Sequence, residues 1–227
     1  MKIITIVSVR PGAGQTSITV NLASGLARQK YRVLIIGMGK NNKLYNWLGV
    51  KPQGIAVPSN KHVLGKPILT SRINADLLAQ PVDKADIVKI LKKKDLDYHY
   101  LFLLPASKED CSLLGGLSDH LVACTNLSQP AELEDLKALD NLWHNRAGKT
   151  RSISLLVLNK INTREWEHNQ HKIDALTSYF GYEIIADPIP YCERIHDLPS
   201  AGRTIWELSQ QNLQRAYMKL VDSVKQL

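Results

Sequence analysis

Eight residues near the N-terminus, Arg10-Pro11-Gly12-Ala13-Gly14-Gln15-Thr16-Ser17, bring two glycines, a guanidinium, a carboxamide and two hydroxyls into one short stretch. Glycines so placed let backbone N–H groups converge. A helix starting directly behind them adds the positive potential of its N-terminus, so the stretch has the make-up of an anion cradle. An ordinary strand-to-helix turn needs little more than the glycines, and that plainer reading stays open at this point. A dinucleotide-binding turn calls for a third glycine where Ser17 stands and an acidic residue at the end of the following strand, where the chain has Gly37. Nicotinamide and flavin roles are therefore disfavoured.

Other polar clusters carry less. His168 and His171 lie three apart beside Glu165 and Glu167, a spacing that sets two imidazoles on one helix face. No second ligand pair accompanies them, so they read as surface residues and no metal site is expected. Ser17 is not in a nucleophile elbow, and spacing gives no Ser-His-Asp arrangement. Cys111, Cys124 and Cys192 are odd in number and far apart, which fits reduced thiols and neither a disulfide framework nor a paired-cysteine cluster.

The elements that must position the loop follow from hydrophobic pattern. Lys2 to Val9 is rich in Ile and Val with little alternation, the pattern of a central strand buried on both faces of a parallel sheet. Thr16 to Gln29 has helical spacing, and Arg32 to Ile36 reads as a second buried strand. A short helix is expected around Leu44 to Leu48. Gln53 to Pro67 mixes Gly, Pro, Ser, Asn and Lys without a period and reads as a surface connection. Further on, strands are expected at Asp76 to Ala79, Tyr98 to Leu104, His120 to Thr125, Ser152 to Asn159 and Tyr182 to Ile185. Helices are expected at Lys84 to Lys94, from Pro130 to about Asn145, before Gly181, and from about Ile205 to Gln226. This alternation predicts a three-layer α/β fold, a mostly parallel sheet with helices on both faces, formed by residues 1–227 as a single domain.

The octapeptide resembles the deviant Walker A loop of the ParA/MinD family of P-loop ATPases, commonly Lys-Gly-Gly-x-Gly-Lys-Thr-Thr. The resemblance extends through Asn21-Leu22-Ala23-Ser24-Gly25-Leu26-Ala27, Arg32-Val33-Leu34-Ile35-Ile36 and Trp47-Leu48-Gly49. It returns at Leu158-Asn159-Lys160, Pro188-Ile189-Pro190-Tyr191 and Ala201 to Glu207. It implies a P-loop fold and a nucleotide site formed by Arg10, Gly12, Ala13, Gly14, Gln15, Thr16 and Ser17. Thr16 stands at the magnesium-facing hydroxyl position, and Asn159 and Pro190 stand on the adenine side.

Four departures from that family fall at polar positions, Gly37 and Gly39 together making one of them. Gln15 stands for the Walker lysine and Arg10 for the signature lysine, Gly37 and Gly39 for the acidic residues after the second strand, and Leu104 for the Walker B aspartate. Pro11 also replaces a loop glycine and removes a backbone donor. Phosphoryl transfer rests on positioning and charge stabilisation, so these losses predict no significant hydrolysis and no catalytic residue. ATP or ADP with magnesium, the cofactor the resemblance implies, is expected to bind weakly or not at all.

Net charge is +8 and 44% of residues are hydrophobic. The charge favours an anionic partner such as DNA, an acidic protein or a membrane surface, while a solvated basic surface remains the plain alternative. No apolar run approaches the roughly 20 residues of a spanning helix, and no signal-peptide pattern opens the chain, so a cytoplasmic protein is expected. The last helix reads as part of the domain, which ranks membrane binding low. Three functions remain open: a degenerate ParA/MinD-like pseudo-ATPase serving as an interaction or positioning module with a protein partner, a weakly active ATPase, or a nonspecific DNA-binding partition-like protein. Any homodimer is expected not to be driven by ATP.

Overall fold

A computed structural model of the chain describes residues 1–39, 42–49, 57–78, 82–92, 96–128, 131–147 and 153–227. Eight strands form one sheet: β1 (Lys2–Ser8), β2 (Val33–Gly37), β3 (Val57–Val63), β4 (Lys66–Thr70), β5 (Asp76–Leu78), β6 (Tyr100–Leu104), β7 (His120–Thr125) and β8 (Leu155–Leu158). Their spatial order is β3-β4-β5-β2-β6-β1-β7-β8. Every pair from β5 to β8 is parallel, and β4 alone runs against its neighbours. The expected mostly parallel three-layer fold is the observed one.

Alternation on the central strands divides the core in two. Ile4 and Ile6 of β1, Ile35 of β2, and Phe102 and Leu104 of β6 face one layer. That layer holds α1 (Gln15–Arg28), α2 (Asn42–Trp47), α7 (Leu198–Ala201) and α8 (Gln211–Gln226). Val7, Leu34, Ile36, Leu101 and Leu103 face the other, formed by α3 (Lys84–Lys92), α4 (Lys108–Leu114), α5 (Glu132–Ala147) and α6 (Trp166–Phe180). A strand covered on both sides must be apolar at nearly every position, which is why β1, β2 and β6 read as continuous hydrophobic runs. On α8 the buried residues Leu213, Tyr217, Leu220, Val221 and Val224 lie on one helical face, and they seat the helix against the α1 layer.

The topology makes one crevice. From β1 the chain crosses through α1 to β2, beyond β6; from β6 it crosses through α4 to β7, on the other side of β1. Adjacent strands whose continuations leave in opposite directions open a gap at their carboxyl ends, where open α/β sheets place ligands.

Several boundaries differ from the sequence expectation. The stretch Gln53 to Pro67, expected to be a surface connection, forms β3 from residue 57 and starts β4; the two pair antiparallel with an irregularity between Pro58 and His62. Pro58 lies on the edge strand, where one side of the ladder is free, and Pro67 stands near the start of β4. Tyr182–Ile184 is a 3-10 turn, and only Ile185 bridges to β8, at Leu156. The closing segment is split into a 3-10 turn at Ile205–Glu207, capped reciprocally by Thr204 and Glu207, and α8. Pro130 and Lys93-Lys94 lie outside the described residues. No helix among the described residues is long and apolar enough to cross a membrane.

Candidate functional site

The glycine loop lies at the crevice, between the end of β1 and the first turn of α1. Gly12 and Gly14 have φ of 88° and 106°, and the Ala13 N–H closes a turn onto the Arg10 carbonyl at 3.3 Å. Gly14 has a second reason to be glycine. A Cβ there would stand 2.0 Å from Asn159 Nδ2, which instead donates to the Ala13 carbonyl at 2.8 Å. Next to it, Lys160 adopts a φ of 59° and its Nζ donates to the Gly12 carbonyl at 2.9 Å. The end of β8 therefore holds two loop carbonyls. The first N–H groups of α1 have no intrahelical partner, as at any helix start.

The other flank is built differently. Gln15 turns its carboxamide onto backbone, donating to the Ile6 carbonyl at 2.9 Å and the Pro105 carbonyl at 3.2 Å. Leu104, the last residue of β6, is fully buried in the α1-side core. Gly37 ends β2 and accepts from the Val82 N–H at 3.3 Å. Gly39, with φ of 60°, passes so close to the loop after β6 that a Cβ there would come within 2.9 Å of Ala106 Cβ. Arg10 is engaged within the chain: its Nε donates to Asp135 Oδ2 of α5 at 2.6 Å, each side chain about one-third exposed.

The structure thus gathers Arg10, Gly12, Ala13, Gly14, Gln15, Thr16, Ser17 and Asn159 around one loop. Thr16 and Ser17 are half-buried at the start of α1, and the Ser17 carbonyl accepts from Asn21 Nδ2 at 2.9 Å. Pro190 stands apart from the loop itself, bridged to Ile161 two residues past Asn159. It lines a separate cleft of about 350 Å³ with Thr163, Arg215 and Lys219. His171 lies on α6, the side chain of His168 is outside the described residues, and no three His, Cys, Asp or Glu side chains converge to hold a metal among the described residues. Burial pushes the Cys124 thiol up to about 12, and burial with Asp110 nearby does the same to Cys111, so both are inert at neutral pH.

Sequence reasoning did not single out Lys160, Asp135 or Glu132 as parts of the site. Glu132 is almost fully buried and accepts from the Thr125 hydroxyl, the Leu127 N–H at 3.0 Å and the Ser128 hydroxyl at 2.9 Å, fixing the turn between β7 and α5. Glu132, Glu134 and Asp135 occupy the first turn of α5, where acidic residues complement the helix dipole anywhere. Nothing local marks which of them reaches Arg10.

Residues 4–205 match the family described as the CobQ/CobB/MinD/ParA nucleotide binding domain. The chain belongs to that family. Solved members or relatives share its fold across nearly their whole length. The MinC:MinD cell division protein complex of Aquifex aeolicus matches with TM-score 0.79 and 18% identity, covering 100% of this chain and 97% of that one. A ParA family ATPase from Chlorobium tepidum matches with TM-score 0.69 and 16% identity, covering 97% and 98%. Cobyrinic acid a,c-diamide synthase of Mycobacterium smegmatis, solved with an ATP analogue and magnesium, matches with TM-score 0.73 and 15% identity, covering 100% and 94%. No curated protein matches the chain. At such identities the fold alone is common to a cell division protein, a ParA family ATPase and a diamide synthase, so function must be argued from the site.

Proposed function

We propose that this chain is a ParA/MinD-like pseudo-ATPase, a non-hydrolysing interaction or positioning module that works through a protein partner. The observation that carries this reading is the orientation of Gln15. At the position where the family resemblance puts a phosphate-binding lysine, an uncharged carboxamide is spent on the Ile6 and Pro105 carbonyls. Leu104 in the core and the close Gly39–Ala106 approach are consistent with it, since neither place has a carboxylate, and a Cβ at Gly39 would already crowd Ala106.

The fit to a nucleotide is partial. Glycine-loop N–H groups and the start of α1 suit a phosphate group, and the Thr16 hydroxyl is half-buried beside them. A magnesium-bound triphosphate fits poorly, because Gly37 and Leu104 bring no carboxylate where the family resemblance expects one for the metal shell, and Asp135, a carboxylate beside the loop, is already paired with Arg10. In the family such a complex supplies charge neutralisation for phosphoryl transfer, and here this chain's residues would do no more than cradle an anion.

One observation favours a second reading, weak nucleotide binding: Lys160 Nζ already reaches the Gly12 carbonyl and carries a positive charge at the loop. Calorimetric titration with ATP and ADP, with and without magnesium, separates the two, and phosphate release measures turnover. The expected results are no magnesium-dependent tightening and no hydrolysis above background. Gln15→Lys alone should not restore turnover, since the carboxylates are still missing. Turnover at the level of ordinary ParA or MinD proteins would sink the proposal. A DNA-binding role is tested separately by the salt dependence of duplex binding, which falls steeply with salt when phosphate contacts dominate.

A further inference from the structure

A cleft of about 500 Å³ opens beneath Arg10, between the loop after β1, the loop after β6, and helices α4 and α5. Its size lies in the range of small-molecule sites, and its place is the carboxyl edge of β1 and β6. The chemistry of its wall differs from that of a phosphate site. Val7, Cys111 and Leu139 are buried lining residues, Val9, Pro105 and Leu142 extend the apolar surface, and Ser8, Gln15 and Ser107 add uncharged polar groups. The charged lining groups are Arg10, Asp135 and Lys108. Arg10 and Asp135 neutralise one another at 2.6 Å. Lys108, exposed at the start of α4, takes part in no ion pair among the described residues, and its neighbour Glu109 does not line the cleft. Lys108, whose charge the neighbouring Glu109 carboxylate feels from outside the cleft, is therefore the cation that the rim presents to a mostly apolar pocket.

We propose that this cleft binds a small amphipathic monoanion, an apolar carboxylate whose hydrocarbon body packs between β1, β6 and α5 and whose headgroup pairs with Lys108. The match is in charge as well as shape. An apolar body gains by leaving water against Val7, Val9 and Leu139, and a single carboxylate meets Lys108 at the rim without stranding further charge in an apolar wall. A polyphosphate would bring several negative charges to a pocket whose charged lining, Arg10, Lys108 and Asp135, nets to a single positive charge. The inference goes beyond the proposed function and does not depend on it: the cleft shares Arg10, Pro11 and Gln15 with the loop, but the apolar body and the Lys108 headgroup contact invoked here lie on its α4 and α5 side, away from the loop N–H groups.

Octanoate serves as the probe, with octan-1-ol, octylammonium, acetate and magnesium ATP as comparisons, in calorimetric titration of the full chain. The expected result is saturable octanoate binding in the sub-millimolar range, with octanol weaker by about tenfold and octylammonium and acetate not binding. Lys108→Gln, at an exposed position, should weaken octanoate by about tenfold. Ala138→Phe, exposed on α5 and pointing its new ring into the cleft, should abolish binding while leaving the melting temperature close to the parent's. Absence of saturable binding, equal affinity for octanol, or an affinity unchanged in either variant overturns the proposal. Displacement of octanoate by magnesium ATP, with affinity unaltered in both variants, would place it at the loop N–H groups instead and equally overturn it. Nucleotide titration alone decides the pseudo-ATPase reading, so the two proposals fail independently.

Discussion

The glycine loop has two flanks that solve the same packing problem with different chemistry. On the β8 side, Asn159 and Lys160 donate to the carbonyls of Ala13 and Gly12, so polar side chains hold the backbone in place. The side of β2 and β6 has Leu104 in the core, Ala106 close against Gly39, and the Gln15 carboxamide turned onto main-chain carbonyls. Holding the loop's shape and supplying charge to a ligand are thus separable tasks. The first needs glycines and a hydrogen-bonding clamp, which this chain has; the second needs ionised side chains aimed outward, for which we propose it has no set. The contrast explains how a loop can keep the φ angles of an anion cradle without committing the protein to phosphate chemistry.

The polar flank should be the more sensitive to change. Gly14→Ala places a Cβ 2.0 Å from Asn159 Nδ2 at a φ of 106°, so the substitution both strains the backbone and expels Asn159 from the Ala13 carbonyl. Left-handed strain and a lost buried hydrogen bond together give an expected loss of about 2–4 kcal/mol in denaturant unfolding. Gly12→Ala is the internal control, since at Gly12 a Cβ meets nothing within 4 Å and only the strain remains. If the two variants were equally stable, the Asn159 clamp would contribute nothing and the contrast between flanks would collapse.

A smaller effect is expected on the apolar flank. At Gly39 a Cβ would approach Ala106 Cβ at 2.9 Å with φ of 60°, and among the described residues that methyl group is the one atom it would meet within 4 Å. Gly39→Ala should therefore cost about 1–2 kcal/mol, mostly the left-handed penalty. The paired variant Gly39→Ala with Ala106→Gly removes the contact and leaves the φ penalty. Recovery to parental stability in that pair, measured by the same unfolding curves, would show instead that steric contact dominates.

How much of this was legible in the sequence follows the range of the interactions. β1, β7 and the start of α1 were readable because a strand buried on both faces must be apolar throughout, and a helix announces itself at a glycine turn. The pair β3–β4 was not, because Pro58, Gly65 and Pro67 give the stretch the composition of a loop while antiparallel pairing with β5 supplies the order. Asn159 was placed at the site by resemblance, but its bond to Ala13 spans 146 positions, and Arg10 finds Asp135 across 125. Composition and periodicity report what a residue does to its neighbours in sequence. Contacts this distant are set by strand order, which periodicity does not encode.

The smallest expected effect is a null one, and it tests the functional contrast most directly. In an ATP-driven dimer the nucleotide must bind the associated state better than the separated one, since a ligand moves an equilibrium only by its differential affinity. The bridging charges in this chain are scarce: Arg10 is held within its own chain by Asp135, and Gln15 is turned inward. ATP with magnesium should therefore leave the mass of the particle unchanged in light scattering at several protein concentrations, whether that mass is of a monomer or a constitutive dimer. Asp135→Asn weakens the ion pair on Arg10 without touching the loop. If the intramolecular pair alone were silencing a competent switch, this variant would acquire an ATP-dependent shift in mass. If Gln15 and the missing carboxylates set the limit, it would remain as unresponsive as the parent, which is the outcome expected here.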